Sequence, residues 1–464
     1  MSKRAIALLL ALALLASVPA MSALAEEGSP ETRTAAQMPK KETAGPPGED
    51  ETAKGEAPED GETAEAGETE AASPAATPAG PDLGENVTFQ PDPVGEVSFA
   101  NIESRMRENN LQLLALEQSV LSIEDIDYDK LYDQLWHQLN DIAKAQWAMV
   151  QMSQYMSDYE YHSSYDQMDR AYDAVREQFD AIKDGEMQQD NADLIRQLNN
   201  LEDQIVMAGE SLYTALAAME SQERGLRRQL EAMDRTVEEM ELRYQLGQIS
   251  AMQLSEVKSG QTSLQSGLAT LSMNIQNYKL QLEMLIGAEQ TGGIALGELP
   301  EVTEEQLNAM DLERDLAAAR ERSYELYDAG LTLEDARDQY KEDADNWAYN
   351  EKRLEFRNAQ RTWNAAQYTY NNTLQNYELK FRTLYAQVGD YRQIWQAAQV
   401  ALESERSSYA ASELKYQQGT ISLNALLTAE DDLRAAEEKV RSAAGDLFST
   451  YNTYCWAVEH GILN

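Results

Sequence analysis

The chain is poor in the residues on which many enzymes and small secreted folds depend. Among its 464 residues there is a single cysteine, Cys455, and there are only three histidines, His137, His162 and His460. One cysteine excludes an intramolecular disulfide, so the fold must be stabilised by packing alone. Cys455 has aromatic neighbours on both sides, and we expect it to be a small apolar residue of the core.

Motifs that carry catalysis are also missing. None of the histidines has a second ligand at the spacing of a zinc motif. The sequence contains no Gly-x-Ser-x-Gly elbow, no P-loop and no GxGxxG fingerprint after a strand. Its many carboxylates are explained by the charged surface that coiled coils usually carry. We therefore predict that the protein is not an enzyme and holds no cofactor or metal ion.

Positive charge is scarce. The chain has 38 Lys and Arg against 81 Asp and Glu, a formal net charge of −43. Nucleic acid is excluded as a partner, because its phosphates require a basic patch. The same charge opposes adsorption to anionic lipid.

A long hydrophobic run occurs only in the first 25 residues. Lys3 and Arg4 precede the apolar stretch 5–18, and Ala23-Leu24-Ala25 matches a cleavage site. This pattern predicts a signal peptide over residues 1–25. The run is too short for a permanent membrane span. We expect an exported protein that has no direct membrane span after cleavage and resides in the cell envelope or at the surface.

Residues 26–96 contain few large apolar side chains. They are rich in Glu, Ala, Thr, Gly and Pro, with 18 acidic and 4 basic residues. Such a segment buries too little apolar surface to offset its ordering entropy. It is predicted to be an acidic disordered linker that acts as a spacer, with a specific binding tail as the alternative.

The remainder of the chain contains an internal repeat. Residues 244–250, Tyr-Gln-Leu-Gly-Gln-Ile-Ser, match residues 416–422, Tyr-Gln-Gln-Gly-Thr-Ile-Ser, at an offset of 172. Apolar residues on both sides keep this offset, as Leu212 with Leu384 and Leu254 with Leu426 do. The repeat predicts three segments. They are a first repeat at 97–290, an inter-repeat linker at 291–310 and a second repeat at 311–464.

Each copy carries a heptad pattern around its glycine. Apolar side chains alternate at spacings of three and four from Leu198 to Tyr244, and again from Leu374 to Leu402. A period of 3.5 residues over this distance predicts coiled coil. The 198–244 arm would be roughly 70 Å long at the rise of an α-helix. We predict an all-α fold of long antiparallel coiled-coil hairpins in a tandem two-copy repeat.

The shared heptapeptide predicts the turn of each hairpin. Gly247 and Gly419 can adopt the left-handed conformation that ends a helix. Ser250 and Ser422 follow three residues later, where a hydroxyl can cap the next helix. Each motif should therefore form the tip of a helical hairpin, with its isoleucine covering the apolar end.

Paired Tyr-x-x-Gly-x-x-Ser tips flanked by heptad helices in a tandem repeat resemble the TolC-like outer membrane efflux proteins. The resemblance covers roughly residues 98–464. It implies a homotrimer that forms a hollow cylinder, an adaptor (membrane fusion) protein that docks at the hairpin tips, and an ABC-type or other pump. Carried over by position, the adaptor-docking residues are Tyr244, Gly247, Ile249, Ser250, Leu254, Tyr416, Gly419, Ile421, Ser422 and Leu426.

The sequence departs from this family in two ways. Many members place an aspartate six residues after the tip glycine, where this chain has Gln253 and Ala425. The family also inserts β-strands into each repeat, but residues 121–197 and 337–373 lack the alternation that membrane strands need. We therefore expect TolC-like α-barrel helices without the β-barrel, joined by helical connections. Placement in the outer membrane follows only if the family's location holds despite the missing strands.

Two functions remain open from the sequence. One is an extracytoplasmic component of an efflux or secretion system that engages an adaptor through its tips. The other is a helical scaffold or spacer, or a cell-wall-associated protein that uses its Tyr- and Trp-rich connections, which has lost transport. A trimer in solution would favour the first function, and a monomer that closes its own core would favour the second.

Overall fold

The computed structural model describes residues 92–155 and 157–463. The predicted signal peptide and nearly all of the predicted acidic linker lie outside these residues, so both remain predictions. Tertiary contacts begin at Asp92, before the predicted boundary at residue 97. Its carboxylate accepts hydrogen bonds from the Ser98 N–H at 3.1 Å and from Asn101 Nδ2 at 2.7 Å.

Eleven α-helices account for most of the described residues. In chain order they are α1 (Ile102–Asn109), α2 (Leu111–Glu124), α3 (Tyr128–Met152), α4 (Asp158–Lys183), α5 (Glu186–Gln245), α6 (Ala251–Leu285), α7 (Glu304–Ala309), α8 (Leu312–Arg322), α9 (Tyr324–Asn346), α10 (Leu354–Gln417) and α11 (Leu423–His460). Short 3₁₀ helices lie at Phe99–Asn101 and Ser153–Tyr155.

The strands of the described chain are two residues long. β1 (Glu96–Val97) pairs in parallel with β2 (Ala295–Leu296), with Val97 opposite Leu296. The pair joins the start of the first copy to the segment 291–310. The hydroxyl of the buried Tyr213 lies 3.1 Å from the Val97 carbonyl oxygen and 2.9 Å from that of Gly297. The strand pair is thereby attached to α5.

The predicted all-α class is confirmed by the two long hairpins, α5–α6 and α10–α11. Their heptad positions are buried in the way that the sequence pattern requires. In the first copy the buried positions include Leu198, Leu212, Ile275 and Leu282; in the second they include Tyr377, Phe381, Leu384, Val388 and Leu447. The helical connections are also confirmed, because α3, α4, α9 and the start of α10 occupy 121–197 and 337–373.

The four long helices pack in the order α6, α5, α11, α10. α5 and α11 form the central contact, whereas α6 and α10 lie at the two edges and do not pack along one another. Two apolar cores result, one for each copy. Trp456 of α11 belongs to the core of the first copy, so the two copies are joined by packed side chains.

The connecting helices extend from this arrangement in pairs. α3 packs mainly on α4, and α9 packs mainly on the first part of α10.

Cys455 is buried in the core of the second copy, which confirms its prediction as a core residue. Among the helices that the structure describes, none combines the length and the apolar character needed to cross a membrane.

Candidate functional site

The first hairpin tip joins α5 to α6. Gly247 has φ +70°, and its N–H donates to the Tyr244 carbonyl oxygen at 2.9 Å. The Ser250 hydroxyl accepts from the Gln253 N–H at 3.3 Å, while Gln253 Oε1 accepts from the Ser250 N–H at 2.9 Å. These two bonds form a capping box, which satisfies two backbone donors of α6. The predicted glycine turn and serine cap are confirmed here.

The second tip joins α10 to α11 with the same backbone path. Gly419 has φ +71°, and its N–H donates to the Tyr416 carbonyl oxygen at 2.8 Å. The Ser422 hydroxyl accepts from the Ala425 N–H at 3.2 Å. Ala425 has no side chain that could return the bond, so this tip has a simple cap. Gln253 therefore accepts a hydrogen bond from the serine of its tip, whereas Ala425 cannot.

Both tips lie at the same end of the hairpins. Glu239, near the end of α5, accepts from Asn424 Nδ2 at the start of α11 at 3.2 Å. One turn farther from the tips along α5, Arg235 pairs with Asp431. Because α5 approaches its tip while α11 leaves the other, these contacts bring the two turns side by side.

The predicted docking residues surround the two turns. Tyr244, Tyr416, both glycines and both serines are exposed, whereas Ile249, Ile421, Leu254 and Leu426 are half-buried. The isoleucines thus contact the hairpin ends without being enclosed. The docking role of these ten residues stays a prediction.

Sequence reasoning missed a set of exposed apolar side chains at the same end. Met252 is 81% exposed and Leu246 is 64% exposed. The full set comprises Leu242, Leu246, Met252, Leu414 and Leu423. Leu242 and Leu414 are related by the offset of 172 but lie outside the heptad stripe, and this recurrence was the signal that could have revealed them.

We call the tip-proximal contact between α5 and α11 the tip-side seam; it consists of Ser221, Arg224, Arg228, Arg235 and Glu239 with Asn424, Asp431 and Glu438. Glu438 lies 3.1 Å from Arg228 and 3.8 Å from Arg224, and it accepts from Ser221. Burial opposes its ionisation, but the bonds from Ser221 and Arg228 lower the pKa of Glu438. This seam is held by partly exposed charges.

The far part of the same contact is the base-side seam; it consists of Asp203 and Glu210 with Asn452, Trp456 and His460. The buried Glu210 carboxylate accepts from Trp456 Nε1 at 2.6 Å and Asn452 Nδ2 at 2.7 Å. Burial raises the pKa of Glu210. His460 Nδ1 lies 2.8 Å from Asp203, which also contacts Arg107 of α1 at 3.1 Å.

The described residues bring together no group of three or more His, Cys, Asp or Glu side chains that could hold a metal ion. Of the histidines, His137 and His162 contact neighbouring rings at Trp136 and Tyr161. His460 stacks on Trp456 at 4.5 Å between ring centroids. The exposed hairpin tips are thus the feature with the clearest potential for binding.

No protein-family model and no curated protein matches this chain. Solved structures are similar to it. The outer membrane protein VceC from Vibrio cholerae is 17% identical, with a TM-score of 0.39, 59% of this chain and 73% of that chain covered. The outer-membrane channel OprN is 12% identical, with a TM-score of 0.44 and coverages of 78% and 90%. The open-state MtrE outer membrane channel from Neisseria gonorrhoeae is 13% identical, with a TM-score of 0.39 and coverages of 78% and 89%.

These proteins are outer membrane channels and an outer membrane protein, the class that the sequence motifs of this chain resemble. At such low identities and TM-scores, these likenesses carry no argument about this chain.

Proposed function

We propose that this chain is the extracytoplasmic helical component of an efflux or secretion system. It engages a membrane fusion adaptor through its two hairpin tips, and a pump of the ABC type or another type drives export. The observation that carries the proposal is the pair of exposed tips at one end, each with a left-handed glycine. Both tips also present exposed apolar side chains, among them Leu242 and Leu414.

The chemistry of the tips supports binding to a protein. Exposed Leu, Met and Tyr side chains give apolar contact area, and a rim of charged residues surrounds them. Near the first tip Lys258 pairs with Glu241 at 2.6 Å, and Arg243 pairs with Glu239. Apolar anchors inside a polar rim are typical of protein interfaces. The tips share two exposed anchors, a leucine (Leu242 and Leu414) and a tyrosine (Tyr244 and Tyr416), so an adaptor with a repeated or symmetric surface fits them.

The edges of the long helices support self-association. On α6 an outward stripe recurs every seven residues, as Met252, Ser259, Ser266, Met273 and Leu280, all exposed. On α10 a second outward stripe has the same spacing, as Leu379, Ala386, Gln393, Val400, Ser407 and Leu414, also exposed. A seven-residue stripe is the pattern by which one helix packs on another. We propose that α6 of one chain packs on α10 of the next chain. This gives a homo-oligomer and, if the ring closes with three chains, a trimeric conduit.

The docking role is tested at the tip glycines. In the variant Gly247→Val with Gly419→Val, a β-branched residue must adopt a positive φ, which costs about 1–2 kcal/mol at each turn. Open space surrounds both positions, so the change disturbs the turn and little else. We expect capture of the cognate adaptor to be lost while the helical circular dichroism signal is retained.

The matched control is Gly225→Val with Gly389→Val, one helical glycine in each copy. Both also face open space and have no positive φ. The control should bind the adaptor as the parent chain does. Unchanged capture by the tip variant would refute docking at the tips, and equal loss in both variants would attribute the effect to the helices.

The oligomer is tested on the α6 edge. Replacing Met273 and Leu280 of this stripe, and Met284 one turn beyond Leu280, with Glu places charges on the outward face of α6 without touching either core, since all three are exposed. We expect the mass in solution, measured by light scattering, to fall to that of a single chain. Met152→Glu on α3 is the control and should leave the mass unchanged. A parent chain that is itself monomeric would contradict the conduit and favour the scaffold.

A further inference from the structure

Two tryptophans of α3 are exposed although their rings are large and apolar. Trp136 is 49% exposed and Trp147 is 65% exposed. They are 11 residues apart, which is about three helical turns, so both rings lie on the same side of α3. This is not the side that packs on α4, where Leu135 is buried and Tyr132 contacts Phe179. Exposed tryptophans on one side of a helix are typical of a contact surface.

Exposed carboxylates of α4 lie beside these rings. They recur at spacings of three and four, as Asp166, Asp169 and Asp173. The side chain of Gln146 on α3 donates to Asp169 at 3.4 Å, which places this row next to α3 near Trp147. Residues 158–173 contain five acidic residues and one basic residue, a net charge of −4. We call the two tryptophans and the three aspartates the Trp–Asp face.

The start of α10 carries an excess of positive charge. Residues 352–361 contain four basic residues and one acidic residue, a net charge of +3 in a chain whose total is −43. Arg357 and Arg361 are exposed, and neither forms an ion pair within the described part of the chain. Farther along the same helix, Arg382 does pair, with Glu313 at 3.0 Å. Two arginines without a carboxylate, in so acidic a chain, indicate an acidic partner.

These arginines lie on the side of α10 that faces away from α9. The buried Ala359 marks the side that packs on α9. Arg357 and Arg361 are each two residues from it, which is about 200° around the helix. Tyr368, which is 74% exposed, follows Arg357 by 11 residues and shares its side. We call Arg357, Arg361 and Tyr368 the Arg–Tyr face. Within one chain α3 does not pack along α10, so nothing in the chain brings the two faces together.

The Trp–Asp face can be placed relative to the start of α5. The hydroxyl of Tyr128, the first residue of α3, accepts from Asn191 Nδ2 at 2.7 Å. Trp136 lies eight residues after Tyr128 and Trp147 lies nineteen after it, which is roughly 12 Å and 29 Å along the helix. α4 makes few contacts with α5, so the α3–α4 pair extends beyond the start of α5 without folding back along it.

The Arg–Tyr face lies at the same heights. α9 meets the same turn of α5, where Tyr327 donates to Asp193. Tyr340 is thirteen residues farther along α9 and stacks on Trp363 of α10, so these two rings share a height. The tyrosine of the face comes five residues after Trp363 and Arg357 comes six before it. Their heights therefore correspond to eight and nineteen residues, again roughly 12 Å and 29 Å.

We propose that the Trp–Asp face of one chain packs on the Arg–Tyr face of a second copy of the same chain. α3 and α10 then run antiparallel, with Trp136 against Tyr368, Trp147 against Arg357, and the aspartates beside the arginines. Arginine suits such a partner, because its guanidinium stacks on aromatic rings and pairs with carboxylates. The contact lies between chains, so loss of Trp147 should affect association and not the unfolding of a separated chain.

The second copy is favoured as the occupant by position as well as by charge. The outward stripe of α10 from Leu379 to Leu414 is the surface assigned above to α6 of the neighbouring chain. The Arg–Tyr face continues this side of α10 beyond the end of α6, where the next element of the neighbour's first repeat is its α3–α4 pair. The inference therefore rests on the proposed self-association and adds a second contact to it.

The test is disulfide cross-linking of the purified full chain under mild oxidation. Cys455 is 3% exposed and should not react. The matched double variants are Trp136→Cys with Tyr368→Cys, and Trp147→Cys with Arg357→Cys; each leaves the other contact intact. We expect both to give reducible bands of two or three chains on a denaturing gel.

The controls exchange the partners. Trp136→Cys with Arg357→Cys, and Trp147→Cys with Tyr368→Cys, use the same four positions but lie roughly 16 Å out of register, too far for a disulfide. They should give at least about tenfold less linked product. Equal linking in matched and exchanged variants, or a bond that forms within one chain, would overturn the inference.

Two further outcomes separate this inference from its alternatives. If the parent chain is an oligomer that the α6 variant dissociates, but neither matched variant links, the inference fails and the proposed self-association stands; a monomeric parent ends both. Thr63→Cys with Arg357→Cys tests the acidic residues 26–91 as the occupant. Linking within one chain in that variant, without linking in the matched variants, would assign the arginines to that segment and overturn the inference.

Discussion

The tip-side and base-side seams join the same two helices, yet they are built differently. The tip-side seam relies on charge pairs such as Arg228 with Glu438 and Arg235 with Asp431, whose side chains retain partial exposure. The base-side seam relies on packed rings and on Glu210, whose carboxylate is enclosed and hydrogen-bonded. Partly exposed ion pairs contribute little and are screened by salt. Buried apolar area contributes more and is not screened.

The difference suggests a division of roles along α5 and α11. On this view a firm base keeps the two copies together, and a weaker contact near the tips would let the turns adjust to the proposed adaptor. Elements that move on binding are drawn from the less stable parts of a fold. If the two seams respond alike to mutation, salt or pH, this division of roles is wrong.

The largest effect is expected at Trp456. Trp456→Ala removes a ring that is 6% exposed and leaves the buried Glu210 carboxylate without its Nε1 donor. Loss of a buried Trp costs about 3–5 kcal/mol. The measurement is the free energy of unfolding in guanidinium chloride. Trp147→Ala on α3 is the matched control, because that ring is 65% exposed; it should change stability by about 0.5 kcal/mol or less.

An effect at Trp147 as large as that at Trp456 would contradict the assignment of the base-side seam as the firm part. The same holds if Trp456→Ala lowers the free energy of unfolding by less than Glu438→Gln does.

Much of the fold could be predicted because local patterns determine it. The 3.5-residue period gave the long helices, and the shared heptapeptide gave both turns with their caps. The connections were predicted as helical because residues 121–197 and 337–373 lack a two-residue alternation. These are signals within one stretch of chain, and the structure forms them with few changes.

Contacts between distant segments could not be predicted in this way. In the first copy the buried Tyr213 is an anchor, because its hydroxyl bonds to two backbone carbonyl oxygens. The offset of 172 pairs it with Tyr385, but in the second copy the buried anchor is Tyr377. Its hydroxyl lies 2.9 Å from the Ala319 carbonyl oxygen and 3.0 Å from that of Gly461, and burial raises the pKa of Tyr377 to about 12. The anchor lies about two helical turns away from the position that the offset gives, and the repeat of the sequence does not reveal this change.

The candidate site was predicted only in part for the same reason. The glycine and serine residues of the tips follow from the motif. The exposed Leu246 and Met252 do not, because exposure is set by which helices fail to meet at that end. The contact between α5 and α11, with α6 and α10 left at the edges, is a property of tertiary packing.

A smaller effect is expected at Glu438. Glu438→Gln removes the charge that Arg228 and Arg224 share, and should lower the free energy of unfolding by about 1 kcal/mol at low salt. At about 1 M salt the Debye length is about 3 Å, so most of this difference should disappear. Chemical unfolding in urea measures it, because urea adds no ionic strength.

Glu430→Gln is the control for Glu438. Its partner Arg434 lies one turn away on the same helix, outside the seam, and the loss should be about 0.3–0.5 kcal/mol. If the Glu438 variant keeps its full effect in high salt, the tip-side seam is not held by screened charges and the contrast with the base fails.

The smallest effect is expected at His460, which forms a half-buried ion pair with Asp203 in the base-side seam. Burial alone would lower the pKa of the imidazole, but the hydrogen bond and charge of Asp203 outweigh it and raise the pKa above 6.5. A raised folded pKa contributes stability that is fully present below the unfolded pKa and is lost as pH rises through the folded pKa. At acidic pH the ionisation of Asp203 determines how much of this stability remains. Burial opposes ionisation there too, but the bonds from His460 and Arg107 lower its pKa, so its contribution is lost only as pH falls through that lowered value.

His460→Asn should therefore destabilise the chain by up to about 1 kcal/mol at a pH of about 5.5 and have little effect at about 9. The midpoint of unfolding across this range measures the difference, and proton NMR of the imidazole gives the pKa directly. Asp203→Asn should return that pKa toward its ordinary value while Arg107 keeps its contact with Glu202. If the His460 variant loses the same stability at both pH values, the residue acts through its stacking on Trp456, and the base-side seam is held by packing without an ionic contribution.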